Sequence, residues 1–350
     1  MKMSVITFIG AGQMASALAF PATDNGHEVR LVGTHLDREI ISHLQETGFH
    51  KNLKRTLPKE RVSYFQLEEL QSALEGADAV LCGVSSFGVD WFGEEIFPKL
   101  PKDMPVISVT KGMVDLEDGS MITYPEYWQT KFKKASDLKL CAIGGPCTSY
   151  ELADKDNSHV AFCGEDVNTL KFFRDLFSTS YYHVTLSSDV VGVETAVALK
   201  NAYALGVSLA VGLAMGKDGE GRIKYNSQAA LFGQSVKEMT KLLALVGGEA
   251  ENLIHGAGDL YVTIFGGRTR RIGTLLGQGI SFEDAMKQLE GVTLESIVIA
   301  TRTARAVRNL AKAGKVSLND FPLLIHVDEI INEGKSVDLP WKAFTSESFS

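Results

Sequence analysis

The stretch GAGDLYVTIFGGRTRR, Gly256–Arg271, carries residue types that bind and react with a small anion. Asp259 is its single carboxylate, Thr263 adds a hydroxyl, and Arg268 adds a guanidinium. An aspartate can orient a lysine, and a guanidinium fork matches a phosphate group in two parallel hydrogen bonds. The surrounding glycines are expected to let the backbone approach a small substrate closely. The stretch therefore predicts a site for a small anionic substrate.

Two lysines stand where an amine can act on such a substrate. Lys200 interrupts the apolar run Thr195–Met215, and its neighbours at helical spacing are apolar. Burial disfavours the charged form of an ammonium and suits it to proton exchange near neutral pH. Lys111 follows an apolar run in ISVTKGM, at the carboxyl end of a predicted strand, where parallel sheets bind ligands. We expect Lys200 to pair with Asp259; the alternatives are a lysine reaching the surface at 200 and an exposed turn at 111.

A glycine motif near the start predicts a dinucleotide site. The segment FIGAGQMASALA contains GxGxxA at Gly10, Gly12 and Ala15, between an apolar run and a helix-like stretch. The first glycine permits a tight turn, the second lets a pyrophosphate approach the backbone, and the small third residue lets helix and strand pack closely. The phosphates then face the N–H groups at the helix N-terminus. The alternative is a purely structural glycine turn.

The second strand indicates which dinucleotide would bind. An acidic residue at its end would bond the ribose hydroxyls of NAD. The segment RLVGTHLDR has no carboxylate there; Thr34 and His35 stand at the strand end, and Arg38 lies just beyond. A hydroxyl, an imidazole and an arginine can accept the extra phosphate of NADP. The pattern favours NADP slightly, with NAD also possible, and the alternative is a solvated loop.

The elements that must hold these residues follow from the alternation of the first half. Apolar runs occur at Val5–Ile9, Glu28–Val32, Ala79–Val84, Val106–Thr110, Leu140–Ile143 and Val160–Cys163, and helix-like stretches between them include Met14–Ala22, Leu67–Glu75 and Thr169–Phe177. Repeated strand–helix–strand units predict a doubly wound, mostly parallel Rossmann-type α/β sheet with helices on both faces. The last two runs are compatible with antiparallel edge strands.

The second half is predicted to be all helical. Helix-like stretches follow one another at Val190–Met215, Ser227–Leu245, Glu249–Ile254, Thr269–Gln278, Ser281–Leu289, Leu294–Ala313 and Pro322–Asn332. The class of element changes near Asp189 without a Pro- or Ser-rich linker. We therefore predict two domains, a dinucleotide-binding domain at 1–188 and a helical substrate domain at 189–350.

Composition narrows the class of protein. The chain has 350 residues and a net charge of -8, which argues against a general nucleic-acid surface. Its 4 cysteines form no CxxC pair and do not stand at ligand spacing with the histidines, so free thiols in a reducing cytosol are expected and a metal site is not. The run Thr195–Met215 is long enough for a membrane span, but its Ala, Gly and Ser content favours a buried central helix. The start is too interrupted for a signal peptide.

Taken together, these motifs resemble the NAD(P)-dependent sn-glycerol-3-phosphate dehydrogenase family. The matches run in order along nearly the whole chain: GAGQMASALA, SVTKGM, GGPCTSYELA, GVETAVALKNAYALGVSLAVG, NSQAAL, GAGDLYVT, GGRTRRIG and FPLL. The resemblance implies the two-domain architecture of 6-phosphogluconate dehydrogenase-like proteins, with the active site in the cleft between the domains. It implies reversible hydride transfer between the nicotinamide and C2 of glycerol 3-phosphate, giving dihydroxyacetone phosphate.

The resemblance also implies roles for individual residues. Lys200 of the LKN motif is the general acid–base, Lys111 of the TKG motif polarises the carbonyl, and Asp259 contacts lysine and substrate. The implied substrate-binding residues are Asn201, Thr263, Arg268 and Thr269. The implied cofactor-binding residues are Gly10, Gly12, Gln13, Met14, Ala15, Thr34, Ser85, Phe87, Arg268 and Glu295. The family further implies a homodimer, a small phosphorylated substrate, a cytoplasmic location and a place in glycerophospholipid metabolism.

The sequence departs from the family pattern in four places. Cys147 follows Gly-Pro where the family often has serine, and Phe87 ends a Ser-Ser-Phe run where the family often has P-S-Q. Thr269 replaces an asparagine, and the segment Asn52–Pro58 lacks an expected tyrosine. These changes leave open a related dehydrogenase acting on another small phosphorylated or anionic polyol or hydroxy acid. A non-catalytic dinucleotide sensor is a third hypothesis, opposed by the joint presence of Lys111, Lys200, Asp259 and Arg268.

Overall fold

The protein divides into two compact units. The computed structural model describes residues 2–216, 219 and 221–345. The first unit comprises the chain up to Lys111 together with Thr123–Glu194, and the second comprises Gly112–Ile122 together with the chain from Thr195 onward. The chain therefore enters the second unit briefly after Lys111 and finally after Glu194. The domain boundary between 188 and 189 stays a prediction.

The first unit is built on one eight-stranded sheet, with strands β1 (Val5–Ile9), β2 (Glu28–Val32), β5 (Val62–Phe65), β6 (Ala79–Cys82), β7 (Pro105–Ser108), β10 (Lys139–Gly144), β11 (Ser158–Gly164) and β12 (Tyr182–Ser187). Their order in the sheet is β12-β11-β10-β7-β6-β1-β2-β5. All neighbours pair in parallel except β10 and β11. The four residues of β6 are all buried, as expected for a strand covered on both faces.

Helices and a small hairpin complete the first unit. The helices are α1 (Gln13–Asp24), α2 (Arg38–Thr47), α3 (Leu70–Leu74), α4 (Val89–Trp91), α5 (Tyr124–Lys131), α6 (Ser149–Ala153) and α7 (Val167–Phe177), and the hairpin pairs β3 (Phe49–His50) with β4 (Arg55–Thr56). The apolar faces of α1, α2, α6 and α7 pack in one core cluster with the inner strands. The predicted doubly wound sheet is thus confirmed.

The sequence prediction missed several strands. Strands β5 and β12 both carry intermediate or exposed polar residues, so neither forms a continuous apolar run. The expectation for the last two runs was half right: β10 and β11 are antiparallel to each other, but the edge strand is β12, which runs parallel to β11. The predicted helix Leu67–Glu75 is a 3-10 turn, Leu67–Glu69, followed by the short α3.

The second unit is helical, with one small hairpin. Its helices are α8 (Val190–Met215, which begins in the first unit), α9 (Tyr225–Leu245), α10 (Leu253–Ile264), α11 (Gly267–Gly277), α12 (Phe282–Gln288), α13 (Glu295–Lys312), α14 (Pro322–Glu333) and α15 (Trp341–Phe344). The hairpin pairs β8 (Met113–Asp115) with β9 (Met121–Thr123). Arg305 of α13 donates two hydrogen bonds to Asp115, and Arg302 donates one to the Met113 carbonyl over 2.8 Å.

Helix α8 lies against several other helices of the second unit at very short distances. A Cβ on Gly256 of α10 would stand 2.3 Å from the Ala196 carbonyl oxygen, and one on Gly277 of α11 would stand 2.2 Å from the Leu209 carbonyl oxygen. Among the described residues, α8 is the one helix long and apolar enough to cross a membrane, but 89% of its most apolar window is buried inside the protein. The prediction of a buried central helix is confirmed.

The helix that contains Asp259 differs from its prediction. Helices were expected at Glu249–Ile254 and next at Thr269–Gln278; instead α10 begins at Leu253 and continues through Asp259 to Ile264. The glycines disfavour a helix by propensity, but packing against α8 outweighs that cost. Gly256 therefore serves contact between two helices, and the predicted role of the glycines in backbone approach to a substrate stays a prediction.

A buried glutamate joins α9 to α14. Glu238, fully buried, accepts hydrogen bonds from the backbone N–H groups of Leu323 (2.8 Å) and Leu324 (3.1 Å), in the first turn of α14. The Tyr203 hydroxyl and the Gln234 amide donate to it as well. Burial raises the pKa of Glu238, and the donated hydrogen bonds oppose that rise. The carboxylate thus caps the α14 N-terminus from a neighbouring helix.

We expect Gly256→Ala to destabilise the protein, because its methyl group would overlap the α8 backbone. The loss should be about 1–3 kcal/mol, typical of overpacking. Gly233 of α9 is a matched control, since a Cβ there meets nothing within 4 Å. Gly233→Ala should instead stabilise by up to about 1 kcal/mol through helix propensity. Thermal unfolding measures both variants, and equal shifts in melting temperature would contradict the close packing of α8 and α10.

We expect Glu238→Ala to lower the melting temperature strongly. The variant leaves two backbone N–H groups and a hydroxyl buried without an acceptor, each costing about 1–3 kcal/mol. Glu238→Gln should fall between the wild type and the alanine variant, because the amide keeps one acceptor oxygen. Glu283→Ala is the control, because that side chain is 81% exposed. An alanine variant at 238 as stable as this control would exclude the capping role.

Candidate functional site

The second unit places Lys200 and Asp259 in direct contact. The Lys200 ammonium donates to a carboxylate oxygen of Asp259 over 2.6 Å, with side chains 15% and 1% exposed. The contact lies one turn beyond the point where Gly256 meets Ala196, so the close approach of α10 to α8 produces it. The predicted lysine–aspartate pair is therefore present. Its catalytic role stays a prediction.

Two further predicted substrate residues lie beside this pair. Thr263 stands four residues after Asp259 on α10, and its hydroxyl donates to the Asp259 carbonyl over 2.7 Å. Residues four apart share one helix face, so the Thr263 oxygen lies on the same side as the carboxylate. Asn201 follows Lys200 on α8 and is 8% exposed. The second unit thus gathers an amine, a carboxylate and a hydroxyl at one place.

The predicted anion-binding residues lie at the start of α11. The side chain of Arg268 is 53% exposed, which leaves its guanidinium accessible, and it stands 4.0 Å from the Glu295 carboxylate at the start of α13. Thr269, next along α11, is 8% exposed. An accessible guanidinium in the first turn of a helix suits a phosphate, because the helix N-terminus also favours negative charge.

In the first unit, the glycine motif forms a tight turn against the strand β6. Gly10 has φ +106, and a Cβ there would stand 2.8 Å from the Gly83 backbone. Ala15 packs equally closely, since a Cβ on Gly83 would stand 2.4 Å from the Ala15 methyl. Gly12 caps α1 without a side chain, and the first turn of α1 contains no acidic residue. This cradle fits the pyrophosphate of a dinucleotide.

The turn is held by Gln13 and by a buried histidine, His50, that the sequence did not single out. His50 is fully buried; its Nδ1 accepts from the Leu53 backbone N–H, so Nε2 carries the proton and donates to the Ala11 carbonyl over 2.9 Å. Gln13, exposed at the start of α1, donates to the Asn52 carbonyl over 2.9 Å. The β3–β4 hairpin, which overlaps the departing segment Asn52–Pro58, thus supports the glycine turn.

The end of β2 presents a hydroxyl whose orientation depends on an aspartate. Asp37 accepts from the Thr34 hydroxyl over 2.7 Å, from the Thr34 backbone N–H and from the Ala11 backbone N–H. Arg38, predicted to meet a cofactor phosphate, forms an ion pair with Glu68, and both side chains are 62% exposed. An exposed pair of this kind is weak and can exchange partners.

Lys111 lies at the carboxyl end of β7, as its position after an apolar run predicts. Its ammonium donates to the Gly145 carbonyl over 3.0 Å. After the neighbouring strand β6, Ser85 is exposed and precedes a 3-10 turn that presents Phe87, 65% exposed. Lys111, Ser85 and Phe87 therefore all follow strands at the sheet edge that binds ligands in parallel α/β folds.

One buried acid near this edge was also missed. Glu194, the fifth residue of α8, is 1% exposed. Burial raises its pKa to about 8, and the positive charge of Lys111 opposes that rise. In the sequence, Glu194 resembled an ordinary acidic residue near a helix start. Its neighbour Val193 packs in one cluster with residues of β10 and β11, a contact between elements that local sequence does not reveal.

Cys82 and Cys163 are buried, and burial raises the pKa of the Cys82 thiol to about 12. In the part of the chain that the structure describes, no group of three or more His, Cys, Asp or Glu side chains could hold a metal ion.

Comparison with known proteins identifies the same family for both halves of the chain. The family model for the NAD-dependent glycerol-3-phosphate dehydrogenase N-terminus matches residues 5–169, and that for the C-terminus matches residues 189–341. The chain is 33% identical over 341 residues to an NADP(+)-dependent glycerol-3-phosphate dehydrogenase of Archaeoglobus fulgidus, covering 95% of this chain and 97% of that protein.

A second relative belongs to the same family, and a solved structure shares the fold. A glycerol-3-phosphate dehydrogenase [NAD(P)+] of Oceanobacillus iheyensis is 30% identical over 342 residues, covering 95% of this chain and 91% of the relative. The crystal structure of the Coxiella burnetii glycerol-3-phosphate dehydrogenase superposes with a TM-score of 0.78 at 24% identity, over 98% of both chains, and so shares the fold. The motif resemblance is confirmed: this chain belongs to the NAD(P)-dependent glycerol-3-phosphate dehydrogenase family.

Proposed function

We propose that this chain catalyses reversible hydride transfer between NAD(P)H and dihydroxyacetone phosphate, giving sn-glycerol 3-phosphate. The observation that carries the proposal is the buried Lys200–Asp259 pair, 2.6 Å apart, because a shielded ammonium beside a carboxylate is a suitable proton donor to a carbonyl oxygen. The bound nicotinamide coenzyme supplies the hydride. Both the family and the use of NAD or NADP are those of the relatives described above.

Each remaining residue has a role derived from its chemistry and position. As the carbonyl oxygen gains negative charge, Lys200 donates a proton to it, and Asp259 keeps the ammonium oriented. Lys111 is proposed to polarise the same carbonyl; a preorganised cation of this kind contributes several kcal/mol, on the order of 3. Arg268 and Thr269 are proposed to bind the phosphate, and Asn201 and Thr263 the substrate hydroxyls.

The cofactor is proposed to bind at the glycine turn of the first unit. Gly10, Gly12, Gln13, Met14 and Ala15 would contact the pyrophosphate. Thr34 would contact the adenosine ribose, Ser85 and Phe87 the nicotinamide end, and Glu295 and Arg268 the cofactor from the second unit. We propose a preference for NADP. Asp37 supports it, because its carboxylate already accepts from Thr34 and Ala11 and so is less available to bond the ribose hydroxyls of NAD.

A second candidate function is a related dehydrogenase acting on another small anionic polyol or hydroxy acid. Two residues favour this function: Phe87, an exposed ring after β6, and Thr269, which stands where the family has an amide. A panel of phosphorylated ketoses and 2-oxo acids decides between the two. Turnover of another compound far faster than dihydroxyacetone phosphate would replace the first proposal by the second.

The cellular context is also a proposal. We infer domains at 1–188 and 189–350, a cytoplasmic enzyme that supplies glycerol phosphate for phospholipid synthesis, and a homodimer. Exposed apolar side chains on and just after α10 support self-association: Ile254 is 65%, Tyr261 56% and Phe265 57% exposed. Analytical ultracentrifugation tests the dimer, and a single monomeric species at micromolar concentration would exclude it.

We expect the purified protein to oxidise NADPH on addition of dihydroxyacetone phosphate, and to do so faster than NADH. Lys200→Met should lower kcat by at least about a thousandfold, since general acid catalysis contributes 10²–10⁴ and a charge is lost as well. The decrease in absorbance of the reduced nicotinamide, followed separately with NADPH and with NADH, measures both rates, and their ratio gives the coenzyme preference.

The matched control is Lys241→Met, because Lys241 is a 40%-exposed lysine of the same unit that is ion-paired with Asp320. It should retain wild-type kcat. NADPH binding by Lys200→Met, measured by fluorescence, should persist. Unchanged turnover in Lys200→Met would remove the proposed mechanism, and NADPH binding without turnover of any substrate by the wild type would favour a dinucleotide sensor.

A further inference from the structure

Arg38 stands at the end of the sheet where the adenosine ribose of a dinucleotide binds in this fold. It is the first residue of α2, a few residues after β2, and its side chain is 62% exposed. In doubly wound folds an arginine at this place accommodates the 2′-phosphate that distinguishes NADP from NAD. A guanidinium can bind such a phosphate through two parallel hydrogen bonds. Any other anion that binds the same guanidinium therefore affects the choice of coenzyme.

The structure shows such an anion, the Glu68 carboxylate. A guanidinium nitrogen of Arg38 donates to a Glu68 carboxylate oxygen, and the Glu68 side chain is as exposed as its partner. A backbone hydrogen bond and the Arg38 guanidinium lower the pKa of Glu68, so this carboxyl group is ionised at neutral pH. The dipole of α2 disfavours a cation at its first residue, and an anionic partner offsets that cost.

The backbone around Glu68 holds it beside Arg38. Strand β5 pairs in parallel with β2, so the turns that follow the two strands leave the sheet at the same edge. The Gln66 amide then donates to the Arg38 carbonyl over 3.2 Å and to the Ser42 hydroxyl over 3.1 Å, which ties the turn after β5 to α2. The Glu69 carboxylate closes that turn by accepting from the Gln66 backbone N–H over 2.8 Å. The position of Glu68 thus follows from sheet pairing and from a capped turn.

We propose that Glu68 competes with the 2′-phosphate of NADP for Arg38, and so lowers the preference of this protein for NADP over NAD. The carboxylate and the phosphate are both anions that match one guanidinium fork. NAD has no 2′-phosphate, so its binding leaves the pair of Arg38 and Glu68 intact. Glu68 is in this sense a specificity-determining residue that acts through Arg38. The inference rests on the proposed coenzyme site but not on the identity of the substrate.

The expected effects differ between the two coenzymes. Glu68→Gln keeps the shape of the side chain and removes its charge, so it should tighten NADPH binding about two- to fivefold, the size expected for an exposed ion pair. Arg38→Met should weaken NADPH binding about tenfold or more, because it removes charged hydrogen bonds to the phosphate. Both variants should bind NADH as the wild type does.

A double variant separates competition from simple repulsion between two negative charges. If Glu68 acts by occupying Arg38, Glu68→Gln should tighten NADPH binding in the wild-type background and have a much smaller effect in the Arg38→Met background. Equal tightening in both backgrounds would show that Glu68 only repels the phosphate, and would overturn the proposal.

The matched control is Glu46→Gln. Glu46 is an exposed acid on the same helix, eight residues from Arg38, which is about 12 Å along the helix axis. Salt at about 0.1 M screens exposed charges over such a distance. This variant removes the same charge from α2 and should bind both coenzymes with wild-type affinity.

The decisive measurement needs no hydride transfer. Calorimetric titration with adenosine 2′,5′-bisphosphate and with adenosine 5′-monophosphate compares two ligands that differ in the 2′-phosphate alone. Glu68→Gln should bind the bisphosphate about two- to fivefold more tightly than the wild type, with the affinity for the monophosphate unchanged. Unchanged or weaker binding of the bisphosphate by Glu68→Gln would show that Glu68 does not compete for Arg38.

Binding and turnover together separate this inference from the proposed function. If the wild type does not reduce dihydroxyacetone phosphate with either coenzyme but Glu68→Gln binds the bisphosphate more tightly, the substrate assignment fails and the competition is supported. If the wild type reduces dihydroxyacetone phosphate but Glu68→Gln leaves the ratio of NADPH to NADH affinities unchanged, the reaction is supported and the role of Glu68 is wrong.

Discussion

The close approach of α8 to its neighbouring helices is the constraint on which the second unit depends. At Gly256 and Gly277 the backbones of α10 and α11 stand so near α8 that a methyl group on either glycine would overlap a main-chain carbonyl. Small residues at such crossings let backbones pack directly, and the side chains one turn further along are brought into contact. Lys200 and Asp259 meet in this way. The packing that buries the Lys200 ammonium also places the Asp259 carboxylate beside it, and this pairing offsets the free-energy cost of burying the charge.

In the first unit, the glycine turn must stay open to a ligand while its backbone keeps a fixed conformation. Gly10 and Gly12 leave space beside the N-terminus of α1, and the turn carries few side chains to fix its shape. Long-range hydrogen bonds provide the rigidity: Asp37 accepts from the Ala11 N–H, and His50 donates to the Ala11 carbonyl. Both backbone groups of one loop residue are thereby satisfied from elements distant in sequence.

Much of this architecture could be read from the sequence because its signals are local. Alternating apolar runs predicted the inner strands, and GxGxxA between a strand and a helix predicted the turn. Strand β12 was missed because its less exposed residues alternate with exposed polar ones, so that it forms no continuous apolar run. Helix α10 was missed because glycines have low helix propensity, and its stability comes from tertiary packing. The roles of Asp37 and His50 and the burial of Glu194 were not predictable, since each depends on contacts between elements rather than on spacing along the chain.

Lys200 and Asp259 are proposed to act as one unit in proton transfer. A double-mutant cycle on kcat/KM for dihydroxyacetone phosphate, with Lys200→Arg, Asp259→Asn and the double variant, tests it most directly. Residues that act as a unit give strongly non-additive losses, so the double variant should be little slower than the slower single variant. Losses that multiply in the double variant would show that the two residues act independently, and would exclude joint action in proton transfer.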